Sequence, residues 1–393
     1  MADVEILISG AGIAGLVAAA ALAHAGFSVQ IVDPAKPQNT DLRSTAYLLP
    51  AKELLSEIGL WDALKPHVTP LDALQIIDTQ GWPPTPTETR QFSPKDLDQD
   101  SFGWNIPNAI ARDILIAHLK KQPEIKLDLG IGFAGMLTRT TGAKVRLTDG
   151  RSVTARLVIG ADGRNSAVRV AAGIREKTIR YGQKALAFHA THTSPHNNVS
   201  TEVYNQGGAF TTVPLPDVNG QHCSAIVWMN PGPKTQELAA LTDAEFDAEM
   251  TMRACNQLGP MSKLGALNPW PVTTQTVERL TAERVVLIAE AAHVLPPIGA
   301  QGLNTSLRDI AMLVDIARSA PDDLGAQAQL DLYQKTRAPE ITRLANAIDV
   351  FNRVCQSGQP MIQALRSTGL RAAHDIAPLR QALMKVGIGR LAR

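Results

Sequence analysis

The chain has 393 residues, 45% of them hydrophobic and 19% charged, with a net charge of +1. That is apolar material for a large core, and it excludes a disordered or fibrous chain. So even a charge balance also predicts no nucleic-acid partner, because no global field would attract a polyanion.

The chain opens on a buried-strand run, Val4, Ile6, Leu7 and Ile8, with Asp3 and Glu5 where a secretory leader would be basic. Gly10-Ala11-Gly12-Ile13-Ala14-Gly15 follows, and then an Ala-rich helical stretch ending at Gly26. That stretch, 16–25, is far too short to span a membrane. A second strand, Val29, Ile31 and Val32, ends at Asp33-Pro34, which completes a βαβ opening. In such a turn Gly10 permits the tight bend, Gly12 lets the backbone approach a pyrophosphate, and Gly15 allows close helix–strand packing. Ala14 lies in the first helical turn, whose positive end favours phosphate. Asp33 stands at the end of the second strand, where a carboxylate accepts from ribose hydroxyls. The turn alone does not separate NAD from FAD.

Beyond it, residues 73–79 predict a strand, and the run Trp82-Pro83-Pro84-Thr85-Pro86 is expected to break all regular structure. A helix is expected over 108–121, and strands over 144–148 and 153–159 around an Asp149-Gly150 turn. Residues 181–278 alternate polar and apolar in short runs, with turns at Gly207-Gly208 and Asn219-Gly220, which predicts an antiparallel sheet. Another buried strand, 285–288, leads to a helix near Asn304, and the pattern from about 331 onward is helical. Three cysteines, Cys223, Cys255 and Cys355, share no metal-ligand or C-x-x-C spacing, so neither a disulfide framework nor a metal site is expected. A reducing, cytoplasmic setting follows as an expectation.

Two further segments resolve the choice of nucleotide. Gly160-Ala161-Asp162-Gly163-Arg164-Asn165-Ser166 follows a strand, and Ala291-Ala292-His293-Val294-Leu295-Pro296-Pro297 runs into Ile298-Gly299-Ala300-Gln301-Gly302-Leu303-Asn304. In sequence, order and spacing both resemble the signatures of the FAD-dependent aromatic hydroxylases. The branch that serves ubiquinone biosynthesis is the most similar, on Asp41-Leu42-Arg43-Ser44, Gly103-Trp104-Asn105-Ile106-Pro107-Asn108 and Tyr181-Gly182-Gln183.

The resemblance implies an α/β fold: a Rossmann-like FAD-binding domain (1–70, 103–178 and 279–330), an inserted antiparallel-sheet substrate domain (71–102 and 179–278) and a C-terminal helical segment (331–393). It implies FAD as resident cofactor, NADPH or NADH as transient reductant, and oxygen transfer to an aromatic ring through a flavin C4a-hydroperoxide. Asp33 would hold the adenosine ribose. Arg43 would approach the phosphates or ribityl chain, Arg112 would supply a polar contact, and Asp162 and Gly163 would lie against the cofactor. Pro297 would fix a rigid turn, and Gly302, Leu303 and Asn304 would aim backbone N–H groups at the flavin. His293 is expected to be a packed structural histidine. His189, Tyr204, Phe210, Pro214 and Trp228 are candidates for the pocket floor.

The sequence departs from the family pattern in three places. Ala289-Glu290 stands where Gly-Asp is usual, and Ala300 stands where the first glycine of Gly-Gln-Gly is usual. Three functions stay open on these residues: hydroxylation of a polyprenylated phenol or quinol, a non-catalytic accessory role in the same pathway, and hydroxylation of a soluble aromatic acid, which would demand a basic residue in the pocket. A multi-enzyme assembly for ubiquinone synthesis would be the natural partner.

The last segment adds an expectation of its own. Residues 360–393 carry six basic side chains (Arg366, Arg371, Arg380, Lys385, Arg390 and Arg393) against the single acid Asp375. Leu379, Leu383 and Val386 recur among them at helical spacing. This pattern predicts peripheral contact with the inner face of a membrane.

Overall fold

The computed structural model describes residues 2–35, 41 and 43–389. Leu42, Arg390, Leu391 and Arg393, named above or neighbouring those named, lie outside them.

The opening βαβ unit forms as the sequence predicts. Strand Val4–Ser9 lies parallel to Val29–Asp33 on one side and to Ser152–Gly160 on the other, with registers Ile6↔Val29 and Ile6↔Leu157. Strands Val285–Leu287 and Ile125–Leu129 extend the parallel set at its two ends. An antiparallel ribbon, Phe133–Arg139 and Gly142–Leu147, leans on the start of Ser152–Gly160. Ile6, Leu7, Ile8, Ile31, Val158 and Ile159 are fully buried, which is the continuous apolar run expected of strands covered on both faces. Helix Ile13–His24 covers them with Ala and Leu, and it ends where Gly26 takes a φ of +95°.

A second sheet of eight strands runs in the spatial order His293–Val294, Met261–Val277, Glu176–His192, Gln221–Pro231, Gly208–Val218, Val199–Asn205, Ala73–Gln80 and Thr85–Phe92. All its pairs are antiparallel except Val199–Asn205 with Ala73–Gln80. One expectation fails here. The proline-rich run interrupts regular structure only over 81–84, and Thr85–Phe92 is a strand despite Pro86. It survives because it is the last strand of the sheet, where a residue without an N–H costs no ladder bond on the open side. A third, three-stranded sheet of Ser44–Leu48, Gly103–Pro107 and Thr69–Leu71 lies in segments for which no strand was expected.

The two faces of the large sheet have different neighbours. On one, Phe188, Phe210 and Trp228 pack with Phe246 of helix Asp243–Arg253. That helix begins on a complete capping box between Thr242 and Glu245. The other face looks toward the parallel sheet and toward the helices Gln301–Ser319, Gln327–Gln356, Pro360–Asp375 and Ala377–Gly387.

Close backbone packing joins the glycine-rich turn to the parallel sheet. A Cβ on Gly15 would lie 1.9 Å from the Gly10 carbonyl oxygen, and one on Gly10, at a φ of +112°, would lie 2.3 Å from that of Ala161. Neither neighbour is a side chain that could swing aside. Gly15→Ala is therefore expected to destabilise the protein by about 3 kcal/mol or more, read as a lowered midpoint in chemical denaturation.

Candidate active site

A cavity of about 1300 Å³ lies between the parallel sheet, the large sheet and the C-terminal helices. Its first wall is the glycine-rich turn. Gly12 sits there with nothing within 4 Å of where a Cβ would stand, so its backbone faces open space. Ala14 and Gly15, in the first helical turn, line the same end. Asp33 reaches the turn from the second strand. Its Oδ2 accepts from the Ala11 N–H at 2.6 Å and its Oδ1 from that of Ala35 at 2.7 Å. A carboxylate has about four lone-pair positions, so both backbone bonds leave acceptor capacity on the cavity side. Arg112, on helix Asn108–Leu119, donates from Nε to the Ala11 carbonyl at 3.3 Å and lines the cavity beside it.

Arg43 forms a forked pair with Asp41, through Nε and Nη2 at 2.8 Å each, and its guanidinium stacks over the Trp270 ring at 4.8 Å. The bond to Asp41 holds its proton more tightly than usual, and the charge of Glu290 adds to that effect. Glu290 is exposed on the cavity wall. Pro297, Gly302 and Leu303 continue that wall into helix Gln301–Ser319.

Three of the expected residues turn elsewhere. Gly10 is packed against Ala161 and does not line the cavity. The Asp162 carboxylate accepts from the Ser166 hydroxyl and from the Val168 N–H at 3.1 Å, so it fixes the start of helix Ala167–Ala171 instead of facing the cavity. Asn304 is spent on the backbone: its Nδ2 donates to the carbonyls of Ala46 at 2.8 Å and Ala300 at 2.7 Å, and its Oδ1 accepts from the Leu48 N–H at 2.9 Å. It ties the helix start to strand Ser44–Leu48.

The pocket floor also differs from expectation. Tyr204 lines it, but His189, Phe210, Pro214 and Trp228 do not. For Phe210, Pro214 and Trp228 the reason is strand pleat: side chains one residue apart face opposite sides, so Thr211, Val213 and Val227 face the cavity while Phe210 and Trp228 fill the core behind. Ser200 and Glu202, which share the face of Tyr204, went unrecognised, although that same alternation was available to find them.

His293 is buried, as expected of a structural residue. Its Nε2 lies 2.7 Å from Asp309 Oδ2, while Arg337 donates to Oδ1 of the same carboxylate at 2.8 Å. Burial pushes the Asp309 carboxyl up, but His293 and Arg337 outweigh it and leave it below its ordinary value. Nδ1 of His293 has no hydrogen-bond partner. The two alanines that replace familiar glycines show their consequence directly. Ala289 and Ala300 both hold a φ of +55°, in the left-handed region that costs a residue with a Cβ roughly 1–2 kcal/mol.

A dinucleotide cofactor fits these walls. Open backbone at Gly12 and Gly302, a carboxylate at the end of the second strand, and arginines at 43 and 112 supply what pyrophosphate and ribose require. The volume exceeds the roughly 300–1,000 Å³ of common ligand pockets, so a second molecule has room.

Comparison with known proteins agrees. The family model described as FAD binding domain matches residues 3–347. The ubiquinone hydroxylase UbiL of Rhodospirillum rubrum is 30% identical over 98% of this chain and 90% of its own length. The 3-demethoxyubiquinol 3-hydroxylase of Escherichia coli K12 is 25% identical over 98% of both chains. In fold, p-nitrophenol 4-monooxygenase of Pseudomonas putida superposes with a TM-score of 0.82 over 100% of both chains, at 18% identity. The chain belongs to the FAD binding domain family and is an FAD-dependent monooxygenase.

Two outcomes are expected. Gly12→Val places its side chain in the open space beside the turn, so the protein should fold with its usual circular dichroism yet purify without flavin absorbance. Ala289→Gly relieves the positive φ at the cost of added chain freedom, for a net gain of ~0.5–1 kcal/mol in apoprotein stability. Combined with Glu290→Asp, it should bind FAD at least as tightly as the parent in a fluorescence titration.

Proposed function

We propose that this monooxygenase hydroxylates the ring of a polyprenylated phenol or quinol, with NADH or NADPH as reductant. One observation carries the reading. The cavity continues past the cofactor walls into an apolar end lined by Leu344, Ile348, Phe351, Leu370 and Met384 of the C-terminal helices. Leu365, Leu383 and Val386 line it too and are 66%, 47% and 49% exposed. An isoprenoid tail needs such a channel from site to surface, and each CH2 it buries there contributes about 0.8 kcal/mol. The names of the Rhodospirillum and Escherichia relatives support the same substrate class.

In this reading Asp33 accepts from the adenosine ribose. Arg43 and Arg112 meet the phosphates or ribityl chain, and Gly12 lets the backbone approach. Glu290, Pro297, Gly302 and Leu303 border the flavin. Bound FAD would supply the redox chemistry, by which two electrons from the nicotinamide and O2 give one oxygen atom to the ring and one to water. The protein's share is to orient that ring and keep water away. At the apolar end, no described residue offers a soluble acid an unpaired cation. Arg366, the arginine at that end, is already paired with Asp78 in a buried ion pair.

That same pairing revises the membrane expectation. Arg366 is buried, Arg371 bonds Glu88, and Arg380 bonds Asp96, so half of the six basic side chains hold the C-terminal helices to residues 78–96. Met361, Ile376 and Leu379 face outward beside the three residues at the cavity opening, with Arg371 and Lys385 exposed among them. No helix among the described residues is long and apolar enough to cross a membrane. Docking is mainly hydrophobic in this proposal, with the opening turned to the bilayer and Lys385 beside it.

Two measurements test it. Turnover of a polyprenylated phenol should exceed that of the unsubstituted phenol by about 100-fold in kcat/KM, equivalent to burying three or four CH2 groups; equal values would remove the tail channel. Flotation with liposomes should persist at high salt and fall sharply in Ile376→Gln/Leu379→Gln, with FAD content unchanged. Loss on adding salt would mean that electrostatics drives the contact.

A further inference from the structure

We infer that Glu202 is the catalytic proton acceptor for the ring hydroxyl of the substrate and that Tyr204 positions its carboxylate. The inference rests on the ring-hydroxylation reading above and names the residue that activates the ring.

Glu202 lies in the middle of the sheet wall that closes the cavity. Strand register sets it in one transverse row, Ile76–Glu202–Thr211–Val227–Ala187, and every member of that row lines the cavity. It is 9% exposed. Its Oε2 accepts from the Tyr204 hydroxyl, and among the described residues no other donor reaches the carboxyl. A buried carboxylate with a single neutral partner in a wall otherwise made of Ile, Thr, Val and Ala is costly, and structure alone gives it no purpose. It offers open acceptor capacity to whatever occupies the cavity.

The position is also right relative to the cofactor walls. Tyr204 belongs to the small apolar cluster that includes Ile298 and Ala185, and Ile298 directly follows the Pro296-Pro297 turn. The dyad and the loop that borders the flavin in that reading thus line one cavity. The charged and titratable groups facing it are Asp78 on the neighbouring strand, Cys355 on helix Gln327–Gln356, and Arg366 on helix Pro360–Asp375. Arg366 and Asp78 neutralise one another. Burial raises the proton affinity of the Glu202 carboxyl, and the Tyr204 hydrogen bond only partly offsets that. Its basicity thereby moves toward that of a phenol, as proton transfer between the two requires.

The step balances simply. The substrate O–H bond breaks, its proton forms a new O–H bond on Glu202, and the electron pair stays on the ring oxygen, which enriches the ring carbons that accept oxygen. The proton returns when the product leaves.

The test uses the FAD-loaded protein and a geranylated nitrophenol, whose phenolate absorbs in the visible. No turnover is involved, so the result is independent of whether the oxygenase reading holds; oxidation of NADPH on the same samples checks that reading by itself. In wild type the bound probe should ionise at higher pH than in water, because the Glu202 carboxylate and the phenolate cannot both carry charge side by side without cost. In Glu202→Gln it should bind but ionise about two pH units lower than in wild type, because the neighbouring negative charge that opposes the phenolate is gone. Glu202→Asp should restore part of the shift, and Tyr204→Phe should move the ionisation profile while keeping probe and FAD bound. Superimposable profiles for wild type and Glu202→Gln, or no binding of the probe by wild type, overturn the proposal.

Discussion

Everything about the site depends on one backbone contact, the seating of the glycine-rich turn against the end of strand Ser152–Gly160. With Gly10 bearing no Cβ, the turn can lie on the Ala161 carbonyl, and the parallel strands Val4–Ser9, Val29–Asp33 and Ser152–Gly160 all end at one edge. In open parallel sheets, ligands gather beyond the carboxyl ends of the strands. Here that edge carries Gly12, Asp33 and Gly163, and the large sheet closes over it from the opposite side. If this contact opened by the width of a methyl group, Asp33 would lose the Ala11 N–H, and the phosphate end of the cavity would lose its shape.

Much of this was legible in the sequence. The βαβ opening, the antiparallel sheet and the C-terminal helices follow from apolar periodicity and turn residues, and the segments around Asp162 and Pro297 mark where the chain returns to the cofactor edge. What was not legible depends on which way a side chain points once a strand or helix is placed. Phe210 and Trp228 were attractive floor residues because they are large and aromatic, but pleat sends them into the core and leaves Thr211 and Val227 in the cavity. Asp162 and Asn304 sit within recognisable motifs, yet each is consumed by nearby backbone groups that no linear pattern reveals. Strand Thr85–Phe92 was missed because proline signals a break, and only its place at the sheet edge permits it.

The arginines of the last segment illustrate the same limit with charge. Counted along the chain, they form a basic tail. In three dimensions, Arg366 is buried on Asp78, with Ser367 bonded to the same carboxylate. Breaking such a pair by removing one partner costs roughly 3–5 kcal/mol, because the other charge is left buried alone. The pair thus ties helix Pro360–Asp375 to strand Ala73–Gln80 of the large sheet. The network of His293, Asp309, Arg337 and Glu340 does the same for helices Gln301–Ser319 and Gln327–Gln356.

The outward-facing rim of Leu365, Leu383 and Val386 changes what concentration means for this site. The tailed substrate proposed above would partition into the lipid layer and be nearly absent from water, so a cavity that opens through an apolar rim would sample the two-dimensional density of substrate in the leaflet. Dilution of that substrate with inert lipid would lower the rate even at a fixed amount per volume of solution, whereas adding more aqueous buffer would change it little. An apparent affinity quoted in bulk molar units would then describe the vesicles as much as the protein.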